Sequence, residues 1–190
     1  MREASTIPGP AALVPLAALV PLLALVLFMT AVTPALAQEP TAGPADPADV
    51  GTLDGIVNAF YAVVSGPPGE PRQWGRDATL YWPGTVFTVP EDGEGPGFHN
   101  VTPDGFAEES DRFLVESGFV EREIHRETHR FGTVAQVWST YEWRTADGET
   151  GRGINGLHLI HDGERWWITH ATWANEADEQ PIPEEYLPDE

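Results

Sequence analysis

Four consecutive runs between Phe119 and Trp173 alternate apolar and polar residues: FVEREIHRETHRF, VAQVWSTYEWR, GRGINGLHLIH and ERWWITHATW. A period of two marks strands with unlike faces, and the short turns between the runs predict two antiparallel hairpins. Upstream, Leu53, Ile56, Val57, Phe60, Val63 and Val64 recur at helical spacing until Gly66-Pro67-Pro68 stops the run. Trp74 anchors a short turn over Arg72 to Arg76, and Ala78 to Trp82 reads as a short strand ended by Pro83-Gly84. Thr102-Pro103 opens a second helix as N-cap and first-turn proline. Phe106, Ser110, Phe113, Leu114 and Ser117 share one side of it, and Gly118 closes it. PEDGEGPGFHN, between that strand and the second helix, reads as a loop. The fold class is α+β, a curved antiparallel sheet wrapped by N-terminal helices, with a hollow side that can enclose a pocket.

The turns set the register. A two-residue Asp162-Gly163 turn pairs Leu159 with Trp166, Leu157 with Ile168 and Asn155 with His170, so one face is apolar at one end and polar at the other. The opposite face pairs His158 with Trp167 and Arg152 with Trp173. A Gly132-Thr133 turn sets Thr128 opposite Val137 and Ile124 opposite Tyr141, with Ala135, Ser139 and Trp143 on the same face beside Arg122 and Arg126. A bulge near Arg126 turns Glu123 and His125 inward instead. Both facings of strand 119–131 stay open.

The chain of 190 residues has 41% apolar content, which supports one folded domain. Residues 1–37 read as a signal peptide: an apolar run from Leu13 to Val32, then Pro34-Ala35-Leu36-Ala37 as a small-x-small cleavage site. Residues 38–51 read as a flexible Pro/Ala/Asp-rich linker, 52–174 as the domain, and 175–190 as an acidic, Pro-rich tail in which Tyr186-Leu187 clips back. The expected location is secreted or periplasmic, with no membrane association after cleavage. Thirty acidic residues against ten arginines, and no lysine, give a net charge of −20. Such a surface repels nucleic acid, whose phosphates need dense Lys and Arg. Without cysteine there is no disulfide or thiolate chemistry.

The order helix, short turn, strand, helix, four long antiparallel strands is similar to the nuclear transport factor 2-like superfamily, which includes SnoaL-like polyketide cyclases and ketosteroid isomerase. The resemblance covers about Leu53 to Trp173 and is carried by FYAVVSGPPGEPRQW, ESGFVEREIHR, FGTVAQVWSTYEWR, RGINGLHLIHDGERWWI and the terminal PIPEEYLP. It implies a cone around a ligand-sized cavity, often in a homodimer, and no single function. Ketosteroid isomerase, a worked case of pKa tuning, uses an aspartate base with tyrosine and aspartic acid donors. No Asp falls within the four strands here, so those roles have no matching positions. For a SnoaL-type cyclase, Glu123 is the one acid expected inside the cone.

Candidate chemistry follows from these faces. His170 and Asn155, about 5 Å apart at Cβ across a strand pair, form either an acid/base with its orienting partner or a core hydrogen bond. Glu123 and His125, about 6.6 Å apart along one face, form either an acid–base dyad or part of a solvated stripe. Trp82, Tyr141, Trp143, Asn155, Trp166 and Ile168 are the expected ligand wall, aromatic faces suiting flat apolar ligands. His125 and His129 fall about 13 Å apart on a strand, too far to share an ion. No metal site or cofactor is expected. The leading function is an exported binding protein for a small apolar or aromatic molecule. The alternatives are an isomerase, cyclase or dehydratase using a His acid/base, and a non-catalytic dimerising module.

Overall fold

The computed structural model describes residues 44–91 and 97–189. The leader expected over 1–37 and the first part of the linker lie outside the described residues. In chain order the elements are α1 (Pro47–Val50), α2 (Leu53–Val64), α3 (Trp74–Asp77), β1 (Tyr81–Pro90), β2 (Phe98–Val101), α4 (Pro103–Ser117), β3 (Val120–Phe131), β4 (Val134–Arg144), β5 (Thr150–His161), β6 (Trp166–Asn175) and a closing 3-10 turn at Glu184–Tyr186. The strands form one sheet in the order β2-β1-β6-β5-β4-β3. Every neighbouring pair is antiparallel except β1 with β6. The expected α+β class holds.

Both long helices start where their caps allow. Thr52 Oγ1 accepts from the Gly55 N–H at 2.9 Å, and Thr102 Oγ1 from the Gly105 N–H at 3.1 Å. Gly118 ends α4 at φ 66°, and a side chain there would also strike Pro68. The buried stripe of α2, with Ile56, Val57 and Val63 fully enclosed, packs on Val137, Leu157, Leu159 and Ile168 from the inner face of the sheet. Burial of such side chains stabilises the fold by roughly 1.5–3 kcal/mol each.

Several expectations fail, each for a local reason. Pro47–Val50, expected in the flexible linker, is a helical turn with Val50 buried and Asp49 paired with Arg76 at 2.7 Å. Arg72, not Trp74, is the deep anchor of the following turn: it is buried and donates to the Gly66, Glu70 and Leu114 carbonyls. The first strand does not stop at Pro83-Gly84. It passes them in a bulge between Tyr81 and Val86, where Gly84 takes φ 85° and Thr85 Oγ1 donates to the Trp82 and Ile168 carbonyls. The expected loop holds β2, whose Phe98 to Val101 pair with Pro90 to Phe87.

Two registers also shift. Asp162 accepts from the Glu164 and Arg165 N–H groups at 2.8 Å each and from Trp167 Nε1 at 2.6 Å. That opens the turn to four residues, pairing His161 with Trp166. A bulge at Thr169 follows, so Asn155 opposes Trp173, and His170 opposes His158 on the outer face. On β3 the bulge lies between Glu123 and His125, pairing Glu123 with Tyr141 and His125 with Thr140. Glu123 therefore faces inward and His125 outward. The tail lies on the outer face, where Ile182 is buried and the Tyr186 carbonyl accepts from Thr140 Oγ1 at 2.7 Å.

Candidate functional site

α2 and α4 close over the inner face of the curved sheet around a cavity of about 590 Å³. Phe60 and Val64 come from α2, Phe106 and Phe113 from α4, and Phe87 from β1. Trp143 and Trp173 come from β4 and β6. The rings hold one another: Trp143 stacks on Phe119 at 5.9 Å, and Phe106 meets Trp173 edge-on at 5.5 Å. Glycines on β5 make room for the largest of them. Trp143 pairs with Gly151 and Tyr141 with Gly153. A Cβ on Gly151 would lie 2.6 Å from the indole, and one on Gly153 would run into the Tyr141 hydroxyl and the Ala174 carbonyl.

One end of the cavity is polar. Glu121, Tyr141, Asn155 and Asn175 line it, and a chain of hydrogen bonds runs behind it. Arg126 holds Glu123 in a fork at 2.7 and 2.5 Å and also reaches Asp54 at 2.6 Å. Ser139 Oγ donates to Glu123 Oε1 at 2.5 Å and lies 2.6 Å from the Tyr61 hydroxyl. Asn155 Nδ2 donates to the Tyr61 oxygen at 3.1 Å and reaches Glu121 Oε1 at 3.4 Å. The directions are forced. The Arg-bound carboxylate of Glu123 only accepts, so Ser139 donates to it, Tyr61 donates to Ser139, and the amide nitrogen of Asn155 must face Tyr61. Tyr141 in turn donates to Asn175 Oδ1 at 2.7 Å.

Burial pushes the Glu121 carboxyl up to about 7, with the Asn155 hydrogen bond pulling the other way. Burial, then the nearby Glu121 charge, raises both Tyr61 and Tyr141, so both hydroxyls keep their protons. No Lys or Arg lines the cavity among the described residues. A carboxyl that titrates near neutrality beside a fixed amide can bind a polar group of a ligand or exchange a proton with it.

Three of the expected wall residues, Tyr141, Trp143 and Asn155, line this cavity. The others do not. Trp82 is 41% exposed and packs edge-on against Trp167 at 5.5 Å. Trp166 is buried between His161 and Arg130, and Ile168 is sealed in the core opposite Leu159. His170, an expected acid/base, is on the outer face with Nδ1 2.9 Å from the Val86 carbonyl oxygen. His125 is on the same face, its Nε2 3.5 Å from Glu127. Glu123 faces inward but is engaged by Arg126 and Ser139 behind the cavity wall. The acid inside the cavity is Glu121, which the sequence reading overlooked. Its signal was the Glu-x-Glu parity of ESGFVEREIHR: once one residue bulges at Ile124, Glu121 and Glu123 share the face of Trp143 and Tyr141.

No family model matches the chain, and no curated protein does. Solved structures are similar in fold. An uncharacterised protein with a cystatin-like fold from Caulobacter vibrioides is 14% identical, with TM-score 0.49, covering 67% of this chain and 89% of that one. A nuclear transport factor 2-like superfamily protein from Salmonella enterica is 16% identical, with TM-score 0.48, covering 66% and 88%. A nuclear transport factor 2-like protein of unknown function from Silicibacter pomeroyi is 15% identical, with TM-score 0.44, covering 66% and 94%.

Proposed function

We propose that this chain is an exported, SnoaL-like protein whose cavity binds a small apolar or aromatic molecule. The observation that carries this reading is the pairing of the Glu121 carboxyl and the Asn155 amide at one end of a 590 Å³, ring-lined cavity, with no cation of the described residues lining it. That volume suits a ligand of one or two rings. The apolar run and small-x-small site of residues 1–37 support export. A second reading, an isomerase, cyclase or dehydratase-type enzyme, is favoured by a specific feature. Glu121 titrates near 7, where an acid/base is most effective, and it takes the role first given to His170 or His125.

Calorimetric titration of the purified protein with monocyclic aromatic compounds tests the binding reading. At least one compound should bind with submillimolar affinity, and Trp143→Ala should weaken it by about tenfold or more through loss of one wall. A chain that binds none of them sinks the reading. Turnover of any bound compound that rises through about pH 7 and disappears in Glu121→Gln would establish the enzyme.

A further inference from the structure

We infer that the cavity selects an organic cation, a protonated amine carried on an aromatic or apolar body. This inference rests on the cavity being a binding site, and it names the chemical class of the ligand. It starts from the hydrogen-bonding groups at the polar end. The Tyr61 hydrogen is committed to Ser139, the Tyr141 hydrogen to Asn175, and the Asn155 amide nitrogen to Tyr61 and Glu121. Left facing the cavity are acceptors: Asn155 Oδ1, to which no described residue donates, and the Glu121 carboxylate. Asn155 is only 4% exposed as a residue, and its oxygen, with no donor among the described residues, is open to a donor from the cavity side. The fixed polarity of the Arg126–Glu123–Ser139–Tyr61 chain prevents the amide from turning over to present its nitrogen instead.

Charge and shape agree with that count. Arg126, on the same strand as Glu121, is engaged by Glu123 and Asp54. Glu121 itself forms no ion pair among the described residues. A desolvated carboxylate without a cation is costly, so it recovers a proton. A ligand ammonium can replace that proton while its N–H groups satisfy Asn155 Oδ1 and the carboxylate together. The rings of Trp143, Trp173, Phe106 and Phe119 line the same space, and aromatic rings attract a cation there. A second acid, Glu109, lies at the cavity wall 3.7 Å from His99. An anionic ligand would face both carboxylates. A neutral carbonyl compound could take the proton of Glu121 but would still leave the Asn155 oxygen without a donor. Asn175, at the exposed rim, has an amide nitrogen with no partner among the described residues.

Binding must then couple to protonation. The groups that face Glu121 are Tyr61 from α2, Tyr141 from β4 and Asn155 from β5, with Glu123 behind Ser139. His99 and Glu109 are the titratable groups of the outer wall. Only the ionised carboxylate binds the cation, so affinity should rise about tenfold between pH 6 and pH 8 for a carboxyl near 7. Glu121→Gln separates the part of the carboxyl from that of the outer wall.

The test is calorimetric titration of the purified protein with 2-phenylethylamine, 2-phenylethanol and 3-phenylpropanoate, three probes of one shape and different charge. At pH 8 the amine should bind about tenfold or more tighter than the alcohol, and the carboxylate weakest. Glu121→Gln, which keeps shape and is checked for a melting transition no lower than the parent's, should remove that preference and most of the pH dependence while leaving the alcohol within about threefold. An alcohol that binds as tightly as the amine overturns the cation inference and leaves the binding reading standing. An amine preference that survives in Glu121→Gln overturns the anchoring role and the inference with it. Failure of all three probes overturns the binding reading, and the inference with it.

Discussion

Glu121 and Asp77 are both acids that burial pushes up to about 7, yet their surroundings differ in kind. Asp77, 4% exposed at the end of α3, accepts the Tyr81 hydroxyl at 2.6 Å and lies outside the cavity wall. The charge of Asp104 adds to its shift. Its proton closes a packed corner between α3 and β1. Glu121 opens onto the ring-lined space, with an amide that has an acceptor to spare and no Lys or Arg among the described residues of the wall. The contrast teaches that a raised carboxyl marks burial first. A site needs, besides, empty volume and polar groups whose hydrogen bonds are incomplete.

The largest effects separate the two acids through stability. The ordinary carboxyl values are 3.8 for Asp77 and 4.5 for Glu121, well below their folded values. Each group's contribution is full below the unfolded value and is lost as pH rises through the folded value near 7, because the unfolded chain sheds the proton first. A neutral isostere escapes that loss. Asp77→Asn should therefore raise the melting temperature at pH 8 by about 5 °C or more relative to the parent, and far less at pH 5. Glu121→Gln should gain less, since its carboxyl faces the cavity rather than solid packing. Melts of both variants and the parent at pH 5 and 8 give the comparison. Equal gains at the two pH values would break the burial account of both acids.

A smaller effect comes from the tyrosine partners. Tyr81→Phe leaves the Asp77 carboxyl without its hydrogen bond and should cost about 1–3 kcal/mol of stability. Probe affinity should stay put, because the ring that lines the cavity remains and the lost hydroxyl bonds Asp77, which lies outside the wall. Tyr61→Phe removes a hydroxyl of similar burial and should destabilise by a like amount. It also breaks the chain that orients Asn155, so discrimination between 2-phenylethylamine and 2-phenylethanol should shrink. If Tyr81→Phe altered probe discrimination as much as Tyr61→Phe, the division between packing acid and site acid would fail.

Much of the frame was legible because its signals are local. Helical spacing located α2, spacing with a Thr cap located α4, and alternation located four of the six strands. Misread features were those in which a side chain replaces backbone geometry. Asp162 captures two backbone N–H groups and an indole, so an Asp-Gly pair that suggests a two-residue turn forms a four-residue one. Thr85 bridges the gap in the ladder at Pro83, so a proline that suggests a strand end sits inside a strand. Both errors moved the site. Tyr141, Trp143 and Asn155 were found because β4 and β5 pair without a bulge from Val134 to Arg144. Glu121 was missed because the bulge at Ile124 reverses which residues of β3 face inward. Parity along a strand assigns faces only between bulges, and no spacing rule in ESGFVEREIHR marks where the extra residue falls.

The smallest expected effects belong to the histidines on which acid/base chemistry was first placed. His170 stacks edge-on with His158 at 5.9 Å on the outer face, and His125 lies there beside Glu127. Neither lines the cavity, and between each and the ligand space stands the sheet itself. His170→Ala loses one hydrogen bond to the Val86 carbonyl, about 0.5–1.5 kcal/mol at most, because water can take its place. His125→Ala removes a ring whose Nε2 has no hydrogen-bond partner, so its cost should be smaller still. Probe affinity should stay within about twofold of the parent in both variants, against the tenfold loss of amine binding expected for Glu121→Gln. Loss of binding in His170→Ala with the melting temperature intact would place the working face of the sheet on the other side. It would return Glu121 to the same standing as Asp77, a buried acid that serves packing alone.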